Sequence, residues 1–474
     1  MASGKASWHR PDGWFLLLLG LSLIYQVAVH HFVQGVLPGV GYTTDPVYRE
    51  LAFNLFDSGT FSTGSPPEPN TWRTPLQPLL AAGFLFLFGP GDHAFFIMNN
   101  VLFCAALIVT YCMGRLWHPW LGLLMAALVV ADPIYLSNVH IISAEIPFFL
   151  TTVLFLYSAL WMFRRGVTTR RVILCSLFLV LQEYARPAGM YHWIVLSLAL
   201  LVFLWGREPV SRILLLVTIV ATIHFAGTGL WILRNVAVGG TAQFVGQSGI
   251  HIVNYHLPDV LMLRYGLSGS EVEQLIKTPQ FKDALARART PKERDELFMR
   301  TAQDLLREHW LYSIRYMLQK SFPRLFFSLS PDAPTLFTSP ERFRALQDHF
   351  ATVSSGLPGW EKLLDQVTYL VRNNHWPTLW GAVMAWLVNP LLLLLGLWGA
   401  WGMIREQHRD LRATGWLLLL FIGVMAAIHL IYSLARYRIP IMPAVNLLAG
   451  YALLSPRLGL ATDGDGNPST PAPG

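Results

Sequence analysis

Charged side chains are scarce in this chain. Only 13% of its 474 residues are Asp, Glu, Lys or Arg, whereas 53% are hydrophobic. A soluble globular protein carries about 25% charged residues, so this composition excludes an ordinary soluble fold. The 17 Trp and 28 Phe residues suit membrane interfaces and lipid-facing helices instead. The sequence therefore predicts an all-α integral membrane protein.

Cysteine is also scarce, and its positions exclude a disulfide framework in an external domain. Cys104, Cys112 and Cys175 all lie within apolar segments. The chain also lacks an internal repeat, and no cleavage site follows its first apolar segment. We therefore interpret that first segment as an uncleaved anchor helix.

Ten apolar segments are candidates for transmembrane helices, since about 20 apolar residues cross the hydrocarbon core. They are residues 14–37, 93–114, 119–136, 144–163, 172–185, 188–205, 212–233, 378–403, 413–434 and 439–456. The fifth segment is short, and with the sixth it also fits a broken pair that enters the membrane only partway. The expected number of spans is therefore about ten.

Lys and Arg in the short connections orient these spans. The formal net charge is +7, and most of the excess lies in connections on one side of the ten-span arrangement. Because cytoplasmic loops are enriched in Lys and Arg, this side is predicted to be cytoplasmic, with both termini on it. The basic balance then needs no nucleic-acid partner.

Two long segments face the opposite side in this arrangement. The first contains external juxtamembrane helices, and the second is a small helical external subdomain. The predicted organisation is an N-terminal transmembrane module at 1–234 with the first external, catalytic loop at 38–92, an external helical region at 235–377, C-terminal transmembrane helices at 378–456 and a disordered tail at 457–474.

Arginines occur on the external side, where short loops are normally poor in them. Four lie at the outer ends of spans: Arg186, Arg234, Arg436 and Arg438. Charges at this depth are costly unless paired and therefore indicate function, although a single arginine can also extend to lipid phosphates. Because the guanidinium fork matches a phosphate, the group predicts a site for an anionic lipid phosphate.

Two carboxylates complement these arginines. Asp45 precedes Pro46 in the first external segment, and Glu145 opens the fourth span. Both positions are also typical of helix N-termini, where a carboxylate caps the helix or favours its dipole. A carboxylate that accepts a hydroxyl proton, beside cations that stabilise a departing phosphate, suits glycosyl transfer from a polyprenyl-phosphate sugar.

Four histidines lie near the predicted outer face, namely His93, His140, His251 and His256. No spacing among them indicates a metal site, and a single histidine is more often structural than a ligand. A divalent metal ion stays open as a cofactor.

Five short motifs carry a resemblance to a known family. They are Asp45-x-x-Tyr48 with the later Arg73-Thr74-Pro75, Asp132-Pro133 with Ser143-Ala144-Glu145-Ile146-Pro147, Arg186-Pro187, Trp231-x-x-Arg234-Asn235, and Arg436-Tyr437-Arg438-x-Pro440. In this order, from about residue 14 to 456, the chain resembles the polytopic glycosyltransferases of the C fold, the relatives of dolichyl-phosphate-mannose protein mannosyltransferase and of the lipid A aminoarabinose transferase. Many relatives have two adjacent acids in the first loop, whereas Asp45 lies between Thr44 and Pro46.

The resemblance implies an enzyme, a hexosyl- or pentosyltransferase that moves a sugar from a polyprenyl-phosphate donor to an acceptor hydroxyl with inversion. It implies that Asp45 is the base and that Glu145 takes the place of the second-loop acid. The other predicted site residues bind substrate and are Tyr48, Arg73, Arg186, Arg234, Arg436 and Arg438. The acceptor, a protein, lipid or glycan, is left open, and the expected location is a bacterial inner membrane with a periplasmic site among membrane lipids.

Two alternatives stay open from the sequence. A transporter or flippase of lipid-linked glycans would also carry arginines and acids in its membrane part, although transporters place them near the midplane in broken helices and internal repeats. An O-antigen ligase or polymerase type of enzyme would handle the same class of lipid-linked glycan.

Overall fold

The chain is almost entirely helical in the computed structural model, which confirms the predicted all-α class. The described residues are 11–36, 45–246, 248–328, 359–406, 408–431 and 434–454, with positions 342, 345, 346, 348 and 349. Within them the strands are β1, Ser62–Thr63, and β2, Glu68–Pro69, which pair antiparallel. The predicted disordered tail, 457–474, lies outside the described residues.

Ten helices make up the N-terminal half. They are α1 Pro11–Val36, α2 Pro46–Ser58, α3 Leu76–Phe88, α4 Asp92–Arg115, α5 Pro119–Ala131, α6 Pro133–Val139, α7 Glu145–Arg165, α8 Thr169–Ala185, α9 His192–Leu204 and α10 Val210–Ala237. A 3-10 turn, Pro187–Tyr191, joins α8 to α9.

The remaining helices form an intermediate group and a C-terminal group. The first group is α11 Ser248–His251, α12 Leu257–Tyr265, α13 Gly269–Ile276, α14 Pro279–Arg287, α15 Pro291–Tyr316 and α16 Phe322–Phe327. The second is α17 Gly359–Arg372, α18 Trp376–Val383, α19 Asn389–Arg405, α20 Arg409–Ile431 and α21 Met442–Leu454. Single π turns continue the backbone at Ile252–His256, Met317–Ser321 and Met384–Val388, and a 3-10 turn at Ala435–Arg438 precedes α21.

Among the described residues, seven helical stretches are long and apolar enough to cross a membrane, or eight if one bent pair is a single span. The chain is thus a multi-pass membrane protein. The bent pair is α5 and α6, at 66°, in the third predicted span. The fifth and tenth predicted spans are α8, with 17 residues, and α21, with 13. Both are shorter than the roughly 20 residues of a full span.

The break between α5 and α6 has a local cause. Pro133 cannot donate the backbone hydrogen bond that would continue α5. Asp132 instead caps the new helix, because its Oδ1 accepts a hydrogen bond from the Ile134 amide at 3.0 Å. Two short helices therefore replace the single predicted span at 119–136.

The main core lies between the membrane helices, where α4 and α7 are the most buried of the seven described helices long enough to span the membrane. Large buried side chains from both helices meet there, including Phe103 and Phe149. A second, smaller core lies between helices α12, α13, α14 and α15 and includes Leu261, Val272 and Phe298. This second core supports the predicted small helical subdomain outside the spans.

Helix α13 begins at Gly269 with a specific cap. Ser268 is its cap, and it exchanges hydrogen bonds with Glu271 in a capping box. Such a box satisfies two of the amide groups that the first helical turn leaves unpaired.

Candidate active site

Asp45 is fixed at the start of α2. Its Oδ1 accepts a hydrogen bond from the Val47 amide at 3.2 Å, and Pro46 occupies the first helical position. Proline suits this position because its fixed φ matches the helix and no amide is lost there. The carboxylate is thereby held at the helix N-terminus with its other oxygen directed elsewhere.

Arg73 binds that second oxygen. Its guanidinium donates to Asp45 Oδ2 at 2.7 Å, although 28 residues separate the two. The same guanidinium lies over the Tyr48 ring, 5.2 Å from its centroid. Both side chains of this ion pair keep roughly a fifth of their surface exposed, so the pair is accessible to a substrate.

Glu145 is the centre of a second charged group. Its Oε1 lies 2.7 Å from the Arg186 guanidinium and 3.1 Å from Nε of Arg436. Arg186 also packs over the Tyr437 ring, at 4.6 Å. Glu145 starts α7, and a carboxylate at a helix N-terminus is favoured by the helix dipole. One nearly buried carboxylate thus holds two arginines in place.

The two charged groups are neighbours. Tyr48 is buried between them, and the charges of Asp45, Arg73, Glu145 and Arg186 all act on its phenol. Burial raises the pKa of Tyr48, so the phenol is a neutral hydrogen-bonding group at neutral pH. Six of the eight residues that the sequence singles out therefore lie in one cluster.

A cavity of about 530 Å³ adjoins this cluster. Arg186, His251, His429 and Tyr437 contribute its principal polar groups. Most of the other lining residues are apolar. The remaining residues that line the cavity are Pro187, Ala188, Met190, Tyr191, Ile232, Ala242, Gln243, Phe244, Val245, Ser248, Ile252, Met299, Ile428 and Ile431. A cavity with a cationic end and apolar walls suits a ligand with an anionic head and an apolar tail.

The charges of the cluster favour an additional anion. Among the described residues it contains three arginines, Arg73, Arg186 and Arg436, and two carboxylates, Asp45 and Glu145. Arginine forks bind phosphate oxygens in two-point contacts, so a phosphodiester suits this cluster.

The cluster lies at one end of a helix hairpin. Glu145 begins α7 and Arg186 follows α8, whereas the connection between these helices, residues 166–168, is at the opposite end. That opposite end carries Arg164, Arg165, Arg170 and Arg171. Site and basic connection are thus separated by the length of the hairpin.

His251 belongs to the cavity, although the sequence indicated only a structural histidine. Burial, together with the charges of Arg73 and Arg186, lowers the pKa of His251 to about 4. The imidazole is therefore neutral at pH 7 and adds no charge to the site. Its signal in the sequence was the pattern Gly246-x-x-Gly249, which ends two residues before it.

Arg234 lies outside the cluster. Its guanidinium donates to the backbone carbonyls of Asn70 at 2.5 Å and Phe61 at 3.0 Å. It also packs against the rings of Phe61 and Trp231, each about 5.0 Å away. These contacts fix the first external segment and do not favour the predicted role in donor binding.

Arg438 is also held elsewhere. It is only 2% exposed, and its guanidinium contacts Asp132 Oδ2 at 3.5 Å and the Ser328 carbonyl at 2.9 Å. This pair joins the break between α5 and α6 to the turn before α21. The contacts favour a structural role for Arg438, whereas its predicted phosphate contact has no support from them.

The described side chains do not form a metal centre. Among the residues that the structure describes, no three His, Cys, Asp or Glu side chains are grouped as ligands. Asp45 and Glu145, the acids of the site, each carry an arginine. In this arrangement each of these carboxylates therefore binds a guanidinium group.

Comparison with known proteins identifies the fold. No family model and no curated protein matches the chain. An oligosaccharyltransferase from Archaeoglobus fulgidus, tethered to an acceptor peptide with the NVT sequon, matches with a TM-score of 0.50 at 13% identity, over 96% of this chain and 51% of its own. ArnT from Cupriavidus metallidurans, bound to undecaprenyl phosphate, gives a TM-score of 0.40 at 14% identity, over 96% of this chain and 81% of its own.

The predicted resemblance to the C-fold glycosyltransferases is confirmed at the level of the fold. This chain spans about half the length of the archaeal oligosaccharyltransferase that it matches. At 13% identity the likeness concerns the fold alone, since one fold hosts many activities and function depends on the site.

Proposed function

We propose that this protein is a membrane glycosyltransferase that moves a sugar from a polyprenyl-phosphate donor to an acceptor hydroxyl. The observation that carries the proposal is that the Asp45–Arg73 pair and the Glu145–Arg186–Arg436 group are neighbours and that Arg186 lines one largely apolar cavity. The cavity suits the first part of the lipid chain, and the arginines suit its phosphate. The archaeal oligosaccharyltransferase with the same fold supports this class of reaction.

The chemistry follows from the two groups. Asp45 accepts the proton of the acceptor hydroxyl, and the oxygen attacks the anomeric carbon of the sugar. The bond from that carbon to the phosphate oxygen breaks, and the sugar is transferred with inversion. Polyprenyl phosphate leaves with more negative charge than the donor had, so nearby arginines stabilise the leaving group more than the donor.

Arg73 connects donor binding with the base. In the structure described here its guanidinium is used on Asp45. A donor phosphate competes for the same guanidinium, and its binding releases an Asp45 oxygen for the acceptor hydroxyl. Arg186 and Arg436 complete the phosphate contacts, while Glu145 keeps both in position.

The site is proposed to face away from the cytoplasm. The four arginines at the other end of the α7–α8 hairpin mark the cytoplasmic side by the positive-inside rule. In a bacterium this places the reaction at the periplasmic face of the inner membrane, where the acceptor is a protein, a lipid or a glycan.

The test is a donor screen with an Asp45 variant. Purified protein in nanodiscs is incubated with a panel of polyprenyl-phosphate sugars and with peptide, lipid and glycan acceptors, and release of polyprenyl phosphate is measured. We expect Asp45→Asn to lower turnover about 10²- to 10⁴-fold, because a general base contributes that much. Asparagine also caps helices well, so α2 is retained.

Asp92→Asn is the matched control. Asp92 lies in the first turn of α4 and pairs with Arg49 at 2.8 Å, so it is also an arginine-bound carboxylate near a helix start. It belongs to neither of the two charged groups of the site, and its variant should keep wild-type turnover. Wild-type turnover in Asp45→Asn with a competent donor would contradict the proposed base.

One observation favours a transporter instead. The break at Asp132–Pro133 interrupts a membrane helix, as in many transporters. At this break, however, Asp132 is buried in an ion pair with Arg438, and the cavity is lined by other residues. Proteoliposomes that move a fluorescent polyprenyl-phosphate sugar across the bilayer without releasing polyprenyl phosphate would support transport and overturn the transferase.

A further inference from the structure

The last turn of α8 is fixed by contacts on every side. Gln182 is buried, and its amide group donates to Thr152 Oγ1 on α7 at 2.6 Å, while its Oε1 lies 2.7 Å from His192 Nδ1 on α9. Tyr184 donates its hydroxyl to the Gly227 carbonyl on α10 at 2.9 Å. This turn leads directly to Arg186, so its contacts fix the backbone position of Arg186.

Glu183 is the residue of this turn whose burial costs the most free energy. It is fully buried within the bundle, and its two carboxylate oxygens contact His224 Nδ1 at 2.5 Å and the Thr228 hydroxyl at 2.8 Å, both on α10. A carboxylate at this depth costs free energy unless it is paired. An apolar residue would pack α8 against α10 without that cost, so the chain maintains a specific and rigid contact here.

Thr74 connects the same turn to the first external segment. Its hydroxyl donates to the Ala185 carbonyl at 2.8 Å, and the threonine is buried. The carbonyl belongs to the end of α8, where the helix offers no amide partner, because Arg186 has extended backbone angles of −152° and 144°. Thr74 follows Arg73 in the chain, and Ala185 precedes Arg186. This hydrogen bond therefore links the two chain segments that carry Arg73 and Arg186.

We propose that Thr74 and Glu183 are positioning residues that set the spacing of Arg73 and Arg186 for the donor phosphate. The inference rests on the proposed function and adds residues that touch no substrate. Phosphate clamps require their cations within about 0.5 Å of the productive geometry, which supporting residues must enforce. The Thr74 hydroxyl links the segments that carry Arg73 and Arg186, and the Glu183 carboxylate fixes the end of α8 that precedes Arg186.

The experiment compares Thr74→Val with Thr74→Ser and with Thr110→Val. Valine keeps the shape of threonine and removes the hydroxyl, whereas serine keeps the hydroxyl. Thr110 is the matched control, since it is buried in α4 and donates only to the Ala106 carbonyl of its own helix, at 2.8 Å. Binding of undecaprenyl phosphate in nanodiscs and kcat/KM for the donor are measured, with thermal stability alongside.

We expect Thr74→Val to raise the Kd for undecaprenyl phosphate about two- to tenfold, the usual effect of one lost hydrogen bond. The donor kcat/KM should fall about 10- to 100-fold, because a misplacement of about 1 Å can cost that much. Thr74→Ser should restore both values, and Thr110→Val should leave both near wild type. Equal binding and kcat/KM in Thr74→Val and Thr110→Val would overturn the inference.

A double variant separates positioning from a general loss of structure. In an Arg186→Ala background, Thr74→Val should leave the lipid Kd unchanged, whereas its effect on thermal stability should persist. An unchanged effect on Kd in that background would show that Thr74 does not act through the spacing between Arg73 and Arg186 and would overturn the inference. Glu183→Gln, which disturbs one of its two contacts, should reproduce the Thr74→Val pattern if it folds.

The outcomes distinguish this inference from the proposed function. If wild-type protein binds no polyprenyl phosphate and releases none from any donor, the proposed function is wrong and the inference falls with it. If wild type is active and Thr74→Val behaves like Thr110→Val, the function stands and only the positioning role is lost.

Discussion

At the scale of single residues, two arginines two positions apart have different surroundings. Arg436 shares Glu145 with Arg186, which lines the cavity, and it keeps 23% of its side chain exposed. Arg438 is buried and pairs with Asp132. Removing one partner of a buried ion pair leaves an unpaired charge and typically costs about 3–5 kcal/mol. Substitution of the two arginines by alanine should therefore have different effects on substrate binding and on stability.

We expect Arg436→Ala to weaken binding of the donor phosphate more than binding of the acceptor, with thermal stability close to wild type. Arg438→Ala should lower stability by about 3–5 kcal/mol and affect both substrates together. The measurements are donor and acceptor KM values and thermal unfolding in detergent. Equal losses of donor and acceptor affinity in a stable Arg436→Ala protein would contradict its phosphate role.

At the scale of elements, α10 holds the first external segment through Arg234. This side chain at the end of α10 binds the carbonyls of Phe61 and Asn70, which flank the β1–β2 hairpin. Asn70 in turn accepts hydrogen bonds from the amides of Trp72 and Arg73 at 3.0 Å. A continuous set of contacts thus extends from a membrane helix to the segment that carries Arg73.

We expect Arg234→Gln to loosen residues 59–75, because hydrogen bonds to a charged group contribute about 1.5–3 kcal/mol each. Hydrogen exchange should accelerate there, and the donor KM should rise. Arg212→Gln is the matched control at the other end of α10, where Arg212 pairs only locally with Glu208 at 2.8 Å. If both variants exchange alike at residues 59–75, Arg234 does not hold this segment.

Local signals allowed much of the element structure to be predicted. Pro46 after Asp45 explains why α2 begins where it does, and Gly59 in a left-handed conformation, with φ of 68°, explains why it ends at Ser58. The break in the third span was missed, because hydropathy is continuous across residues 119–136. Its signal was Asp132-Pro133, a pair that typically starts a helix.

The candidate site was only partly predictable, for a physical reason. Charges at the outer ends of spans indicated Asp45, Glu145, Arg186 and Arg436 together. Sequence alone could not separate Arg436 from Arg438, since both lie in the same turn and only tertiary partners distinguish them. His251 was missed because its burial depends on helices distant in the chain.

At the scale of the whole molecule, the cavity belongs to all three predicted regions. Arg186 comes from the N-terminal helices, Met299 from α15 and His429 from α20. The region around α15 also contacts the first external segment, where the Gly246 amide donates to the Thr71 carbonyl at 3.1 Å. Asp295, which is 2% exposed, lies directly against Gly246 at this junction.

Asp295 should make the stability of this junction depend on pH. Burial raises its pKa to about 6, and the charge of Arg294 partly opposes this effect. The folded protein therefore binds the proton more tightly than the unfolded chain, so the stability from this group is present below about pH 4 and is lost as pH rises through about 6.

We expect Asp295→Asn to stabilise the protein more at pH 8 than at pH 5, because the amide never acquires the buried charge. The difference between the two gains should be about 1 °C in the unfolding midpoint, which corresponds to roughly 1 kcal/mol for a chain of this length. Asp304→Asn, at an exposed position of the same helix, is the control and should show no such difference. An equal gain at both pH values would contradict a raised pKa at Asp295.

The shortness of α8 has a consequence for the bilayer itself. Its 17 residues span about 26 Å, whereas the hydrocarbon core is about 30 Å thick. If its basic end is anchored at one interface, a helix of this length ends about 4–5 Å below the other. This hydrophobic mismatch favours local thinning of the leaflet around the site. A lipid-linked sugar could then present its phosphate to Arg186 while its tail remains at its ordinary depth.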